Sequence, residues 1–300
     1  MLTRWWPAAA LSCLACSSSP PPPRPAPAPV PRPPEQPASP IEAARPEPGR
    51  VLRARYPASG GAIARYALTR RDSVVSQMPS GEVQTQLRGR TAFVTVSWIA
   101  TASLARLVAA VDSLVEDPAA PVPILQLDSA RGTRWTAERR PGGPLTNFTG
   151  SARSLVGDQI RDELALLFPS LPPAGAGPGD VWSDSASMPV RLGGFEVLET
   201  GRGELRAGEV VHLGGSDALV IVAIRIRRAQ GETTQFDQPI QITAAGTDSL
   251  SHAVAADGRV LAASGVRRTE MALAFPAVGQ SITAQEFTRL TFRLVGLPEQ

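Results

Sequence analysis

From Asp180 to Val295 the chain repeats one pattern, apolar and polar residues in alternation with turn residues between the runs. A period of two marks strands, because successive side chains on an extended backbone leave opposite faces. Val220, Val222, Ile224 and Ile226 share a face against Arg225 and Arg227, and Leu290, Phe292 and Leu294 oppose Arg289, Thr291 and Arg293. The pattern predicts strands over Phe195–Thr200, Glu209–Leu213, Leu219–Arg227, Pro239–Ala244, Asp248–Ala255, Val260–Ala263, Arg267–Phe275 and Thr283–Val295. Gly201-Arg202-Gly203 reads as a tight turn. Asp257-Gly258 is the strongest hairpin signal, since the turn needs a residue tolerant of positive φ.

Upstream, Ala62–Arg70, Val83–Leu87 and Ala92–Trp98 alternate in the same way, separated by Pro79-Ser80-Gly81 and Arg88-Gly89-Arg90, and predict a three-stranded meander. The period then changes. Leu104, Leu107, Val108, Val111, Leu114 and Val115 form one helical stripe, with Thr101 or Ser103 to cap it and Pro118 to stop it. Ile124–Asp128 and Thr133–Ala137 read as a hairpin. A second helix is expected from Ala152 to Phe168, with Leu155, Val156, Ile160, Leu164, Leu167 and Phe168 on its apolar side, Glu163 beside them and Ser151 as cap. The fold class expected is α+β and β-rich: a long curved antiparallel sheet, half-barrel-like, with two packed helices. It occupies residues 51–300, as one domain or as two lobes, 51–170 and 180–300.

The first sixteen residues read differently. Arg4, the apolar run Ala8–Ala15 and a small residue before Cys16 have the order of a secretory signal. Leu14-Ala15-Cys16-Ser17 resembles the lipobox of bacterial lipoproteins. In that family the cysteine thiol carries acyl chains such as palmitate, and cleavage precedes the cysteine. Cys16 is the expected acceptor, with Cys13 after Ser12 as the alternative and plain cleavage to a soluble protein as the bland reading. Ser17 resembles the residue that sends such proteins to the outer membrane, facing the periplasm or the cell surface. The run is too short to span a bilayer, which needs about 20 apolar residues. Cys13 and Cys16 have C-x-x-C spacing but no folded surroundings to lower a thiol pKa. Residues 17–50 form a disordered proline-rich linker holding nearly half of the chain's 30 prolines, a composition that favours extended polyproline II.

All 30 basic residues are arginine. Without lysine there is no Walker A loop, no Schiff-base centre and no Ser-x-x-Lys acylase. The net charge of +3 comes with no basic run, so nucleic-acid partners have no footprint. With Gly179-Asp180-Val181-Trp182, Asp257-Gly258-Arg259 and a closing Glu286–Val295 strand, residues 55–296 resemble bacterial envelope lipoproteins of unknown function. Their shape is similar to the half-barrel of periplasmic lipoprotein-carrier and lipid-transfer proteins. No site residue is carried over from that likeness.

Candidate chemistry is thin. His212 and His252 are the only imidazoles, and a lone strand histidine is ordinarily a surface or hydrogen-bonded core residue. Asp180 and Asp184 flank Trp182, an arrangement glycosidases use, though a turn cap and a core tryptophan explain it as well. Asn147-Phe148-Thr149 fits a glycosylation sequon. No metal and no cofactor are expected, and no enzyme activity. The expected function is a membrane-anchored lipoprotein binding a lipid or other hydrophobic ligand. The alternatives are an interaction protein of the envelope without a cavity and, third, a glycan-directed hydrolase using Asp180 or Asp184.

Overall fold

The computed structural model describes residues 51–57, 60–101, 103–150, 154–192, 195–235 and 238–296, with Ile41, Ala44 and Gly49. Cys13, Cys16, Ser151 and most of the proline-rich segment lie outside the described residues.

The strands are β1 (Gly60–Gln77), β2 (Val83–Ala100), β3 (Ala105–Glu116), β4 (Arg134–Arg139), β5 (Leu145–Gly150), β6 (Val181–Leu192), β7 (Phe195–Leu213), β8 (Ser216–Gln235), β9 (Gln238–Ala255), β10 (Val260–Phe275) and β11 (Gln280–Gly296). They form one antiparallel sheet in the order β5-β4-β3-β2-β1-β11-β10-β9-β8-β7-β6. Each strand pairs with its sequence neighbour except across the β1–β11 seam, which joins the first strand to the last. The sheet is barrel-like and nearly closed. Its edges, β5 and β6, are consecutive in sequence, and the segment between them forms the helix α1 (Leu155–Leu167). That helix contacts both edges. Arg161 donates to the Pro189 carbonyl of β6 at 3.1 Å, and Asp158 pairs with Arg191 of β6 at 3.3 Å. Side chains thus cover an edge that would otherwise offer bare backbone groups to another chain.

The β-rich antiparallel sheet is the one expected, but it is nearly closed where a half-barrel was expected, and it has one helix among the described residues, not two. The stripe from Leu104 to Val115 is strand β3. Leu107, Ala109 and Val111 point inward at a period of two, and a bulge at Asp112 then shifts the register so that Leu114 is the next buried residue. One extra residue in a strand turns a two-residue spacing into three and so imitates a helix. Asp112 holds the bulge by accepting from Arg65 at 3.1 Å and Thr95 at 2.9 Å. The helix that does form is capped by Ser154, whose hydroxyl accepts from the Gly157 N–H at 3.1 Å. Leu155 faces out, while Glu163 is buried.

Other boundaries also move. Arg88-Gly89-Arg90 lies inside β2 and Gly201-Arg202-Gly203 inside β7, so the expected meander has two long strands and the expected pairs after Asp180 fuse. Leu127–Ala130 is a 3-10 turn, so Ile124–Asp128 is not a hairpin arm. Asp257-Gly258 does make the β9–β10 turn, with Gly258 at φ 80°.

The interior has three zones. Tyr66, Leu68, Val96, Leu107, Leu205, Ile221, Leu250 and Phe292 from the sheet enclose Ile160, Leu164 and Leu167 of α1. Each such side chain contributes about 1.5–3 kcal/mol when fully buried. Toward the far ends of β6 to β10 a second cluster gathers Val190, Val197, Ala229, Ile240 and Ile242. Charged residues fill the space between. On the outer face, Ile41 packs against Val211, Ala253 and Ala262.

Candidate functional site

The charged zone is closed on itself. Arg227 donates to Asp248 at 2.8 Å, to Glu199 at 2.6 Å and to Thr269 at 2.9 Å. Arg267 reaches the same Asp248 at 3.0 Å, and Arg225 donates to Asp184 at 2.7 Å. Burial would raise the Asp248 carboxyl, but Arg267 and Arg227 outweigh it and hold it below the usual carboxylate range. Glycines make the room. Gly203 lies across from Arg225 and Gly201 across from Arg227. A Cβ on Gly203 would come within 2.6 Å of Asp184 and 2.7 Å of Arg225. A cavity of about 50 Å³ adjoins this zone, beside Asp162.

At the end of the sheet where β3 and β4 pair, a different arrangement meets the helix C-terminus. The last carbonyls of a helix have no partner in its own ladder. Here the sheet and the segment before β1 supply partners for these carbonyls one by one. His252 donates to Leu166 at 2.9 Å, Arg139 to Phe168 at 3.3 Å, Tyr56 to Pro169 at 2.9 Å and Trp182 to Ser170 at 3.1 Å. Arg139 is the unusual member. Its side chain shares the inward face of β4 with Trp135 and Ala137, and the residue is 2 % exposed. The guanidinium lies over the Tyr56 ring at 3.8 Å and the Trp98 ring at 4.9 Å, the cation–π geometry. Burial lowers its pKa, with Tyr56 opposing. Its Nε and Nη1 have no hydrogen-bond partner. Beside it is a cavity of about 100 Å³ lined by Arg55, Arg140, Leu104, Ala105, Leu171 and Pro173 among others.

The residues singled out from sequence do not assemble. His252 is buried, while His212 is exposed on the β7–β8 hairpin and bonds Asp217 at 2.9 Å. Burial pulls the His252 imidazole down to about 4, against the opposing Leu166 carbonyl. Asp180 accepts from the Gly177 N–H at 2.9 Å, a turn bond. Asp184 is held by Ser170 at 2.8 Å and by Arg225. Four residue steps put the two Cα atoms roughly 13 Å apart, and each carboxylate is engaged with different neighbours, Asp180 with the Gly177 turn and Asp184 with Ser170 and Arg225. Asn147 donates to Glu138 at 2.9 Å. Among the described residues no cluster of three metal-ligating side chains occurs, and no helix is long and apolar enough to cross a membrane.

Sequence reading passed over Arg139 and Tyr56. A signal existed: Arg139 stands at the position where the alternation of Trp135 and Ala137 calls for an apolar residue. No known protein family matches the chain, and no curated protein matches it as a relative.

Proposed function

We propose that this is a lipid-anchored protein of the bacterial cell envelope, tethered at the outer membrane through Cys16, whose β domain works by binding and not by catalysis. The anchor rests on Leu14-Ala15-Cys16-Ser17 after a short apolar run, followed by a proline-rich spacer. Two or more acyl chains give stable attachment without help from the protein surface. The binding half is carried by one observation, an open recess of about 100 Å³ at the β3–β4 end whose wall carries Arg55, Arg139 and Arg140 and no acidic side chain.

Of the two binding readings, docking to another envelope component draws more support than a lipid held inside the sheet. Pockets for drug-sized ligands run to about 300–1,000 Å³. Three cavities among the described residues measure about 100, 50 and 20 Å³, and α1 and the ionic zone occupy the interior of the sheet. The test is metabolic labelling with an alkynyl fatty acid followed by membrane fractionation. Cys16→Ala loses both label and membrane association and Cys13→Ala keeps both; a Cys16→Ala protein that stays labelled and membrane-bound overturns the anchor.

A further inference from the structure

We propose that residues 35–40, the end of the proline-rich segment, dock back onto the outer face of the β domain, in a trough along β9 between β8 and β10. The docking requires neither the lipid anchor nor the recess beside Arg139.

Ile41 is already seated there. It is 9 % exposed and packs on Val211, Ala253 and Ala262, with Val220 beside them. Those three outward residues are at most 4 % exposed, so the chain ahead of β1 covers a patch of the sheet that would otherwise face water. After Ile41 the chain reaches the β9–β10 turn, where the Arg55 N–H donates to the Ala256 carbonyl at 3.2 Å. A chain without a reversal brings the residues before Ile41 in from the other side, along the strands.

Apolar surface continues in that direction. Beyond Val220, β8 turns Val222, Ile224 and Ile226 to the same face, and the two isoleucines are 56 % and 61 % exposed. Their partners on β9 are Ser251, Ser249 and Thr247, small side chains that leave a shallow trough beside the aliphatic ridge. A contiguous exposed apolar stripe marks an interaction surface. This one suits a proline-rich occupant. Polyproline II presents apolar rings, needs no ladder hydrogen bonds and is preformed, so docking has little left to order.

Length and charge pick the register. Ile226 lies six residues along β8 from Val220, about 20 Å of strand. Six residues of polyproline II before Ile41 cover about 19 Å and end at Glu35, the only acidic residue ahead of Ile41. Level with Ile226, the pairing puts Arg202 on β7 and, through Thr247, Arg268 on β10. Both arginines are exposed, and neither makes an ion pair among the described residues. The carboxylate thus arrives between two cations.

The experiment places a benzophenone amino acid in the full-length chain in place of Ala38, which the same spacing sets opposite Val222 to Ile224. After irradiation, peptide mass spectrometry locates the cross-link. The expected product joins residue 38 to β8 or β9 of its own chain within this trough and migrates as a monomer on a denaturing gel. Ile224→Ser with Ile226→Ser, both at exposed positions, lowers its yield about tenfold. Arg202→Glu with Arg268→Glu lowers it about twofold to fivefold, the range for exposed ion pairs, and adding Glu35→Arg restores it. A cross-linked dimer, a cross-link to another protein or elsewhere on the domain, or no cross-link overturns the proposal. So does a yield that both sets of variants leave unchanged.

Discussion

Glu163, on the inward side of α1, receives both terminal nitrogens of Arg90 from β2, at 2.7 and 3.2 Å. Both side chains are almost wholly buried, and Arg70 approaches the same carboxylate at 3.5 Å. The pair fixes the rotation of the helix inside the sheet: a helix turned by one residue would bury Glu163 against aliphatic carbon.

Removing one partner leaves the other charge buried without compensation, which costs about 3–5 kcal/mol. Glu163→Gln is expected to destabilise by that order in urea unfolding of the full chain. The double variant Arg90→Met with Glu163→Met loses less than Glu163→Gln alone, because hydrophobic residues of similar volume replace a buried ion pair at little cost. Equal losses in the two proteins would contradict this account of the pair.

Gly203 has no freedom to accept a side chain. A methyl group there meets Asp184 and Arg225 at once and must push their ion pair aside. Gly203→Ala is expected to cost about 1–3 kcal/mol, whereas Gly279→Ala, at an open turn with nothing within 4 Å, disturbs no neighbour and pays only for its positive φ. Denaturant midpoints of the two variants give the comparison.

A buried histidine and a partly buried aspartate titrate in opposite senses. His252 is held neutral down to about 4 from its usual 6.5, so the unfolded chain takes up its proton first and stability falls as pH drops from 6.5 toward 4. Burial lifts Asp162 to about 6 despite Arg161, so the folded protein holds that proton longer and stability falls as pH rises from 3.8 toward 6. Each displacement corresponds to about 3 kcal/mol, so the two largely cancel between pH 4 and 6. His252→Gln removes one side of the balance. Its stability is expected to decline as pH rises through this window, where the wild type stays flat. Urea titrations across that range decide it, and parallel profiles for the two proteins would refute the opposition.

Beside the ionic zone, β8 turns aliphatic residues outward and arginines inward. Ile224 and Ile226 are 56 % and 61 % exposed, while Arg227 is 5 % exposed. Ile226→Thr is expected to change stability by less than about 0.5 kcal/mol. Arg227→Met is expected to cost about 3 kcal/mol by leaving Glu199 without its cation. Thermal or chemical unfolding of the pair measures the contrast.

Much of this architecture is legible in the chain. Alternation set the strands and their antiparallel neighbours, because a side-chain period of two has one geometric meaning. Asp257-Gly258 located a turn because few residues tolerate its backbone. The stripe on α1 was visible because Ile160, Leu164 and Leu167 recur at the helical period with no bulge between them. β3 was not legible as a strand, since the bulge at Asp112 is a feature of pairing with β2 and has no mark in β3 alone. Nor could the Arg139 cavity be read, because Tyr56, Trp98, Arg139 and Leu171 come together only when the helix end meets the sheet.

Local period and turn chemistry, which depend on neighbours a few residues apart, determined that the chain makes alternating strands and a helix before β6, while the length of the strands came from their pairing across the sheet. Which face of each strand turns inward was decided by tertiary structure alone. Arg227 belongs in the interior because carboxylates from other strands arrive with it, and its partners lie 21 to 42 residues away. Burial energy of that kind comes from the assembled sheet, so no single strand carries it.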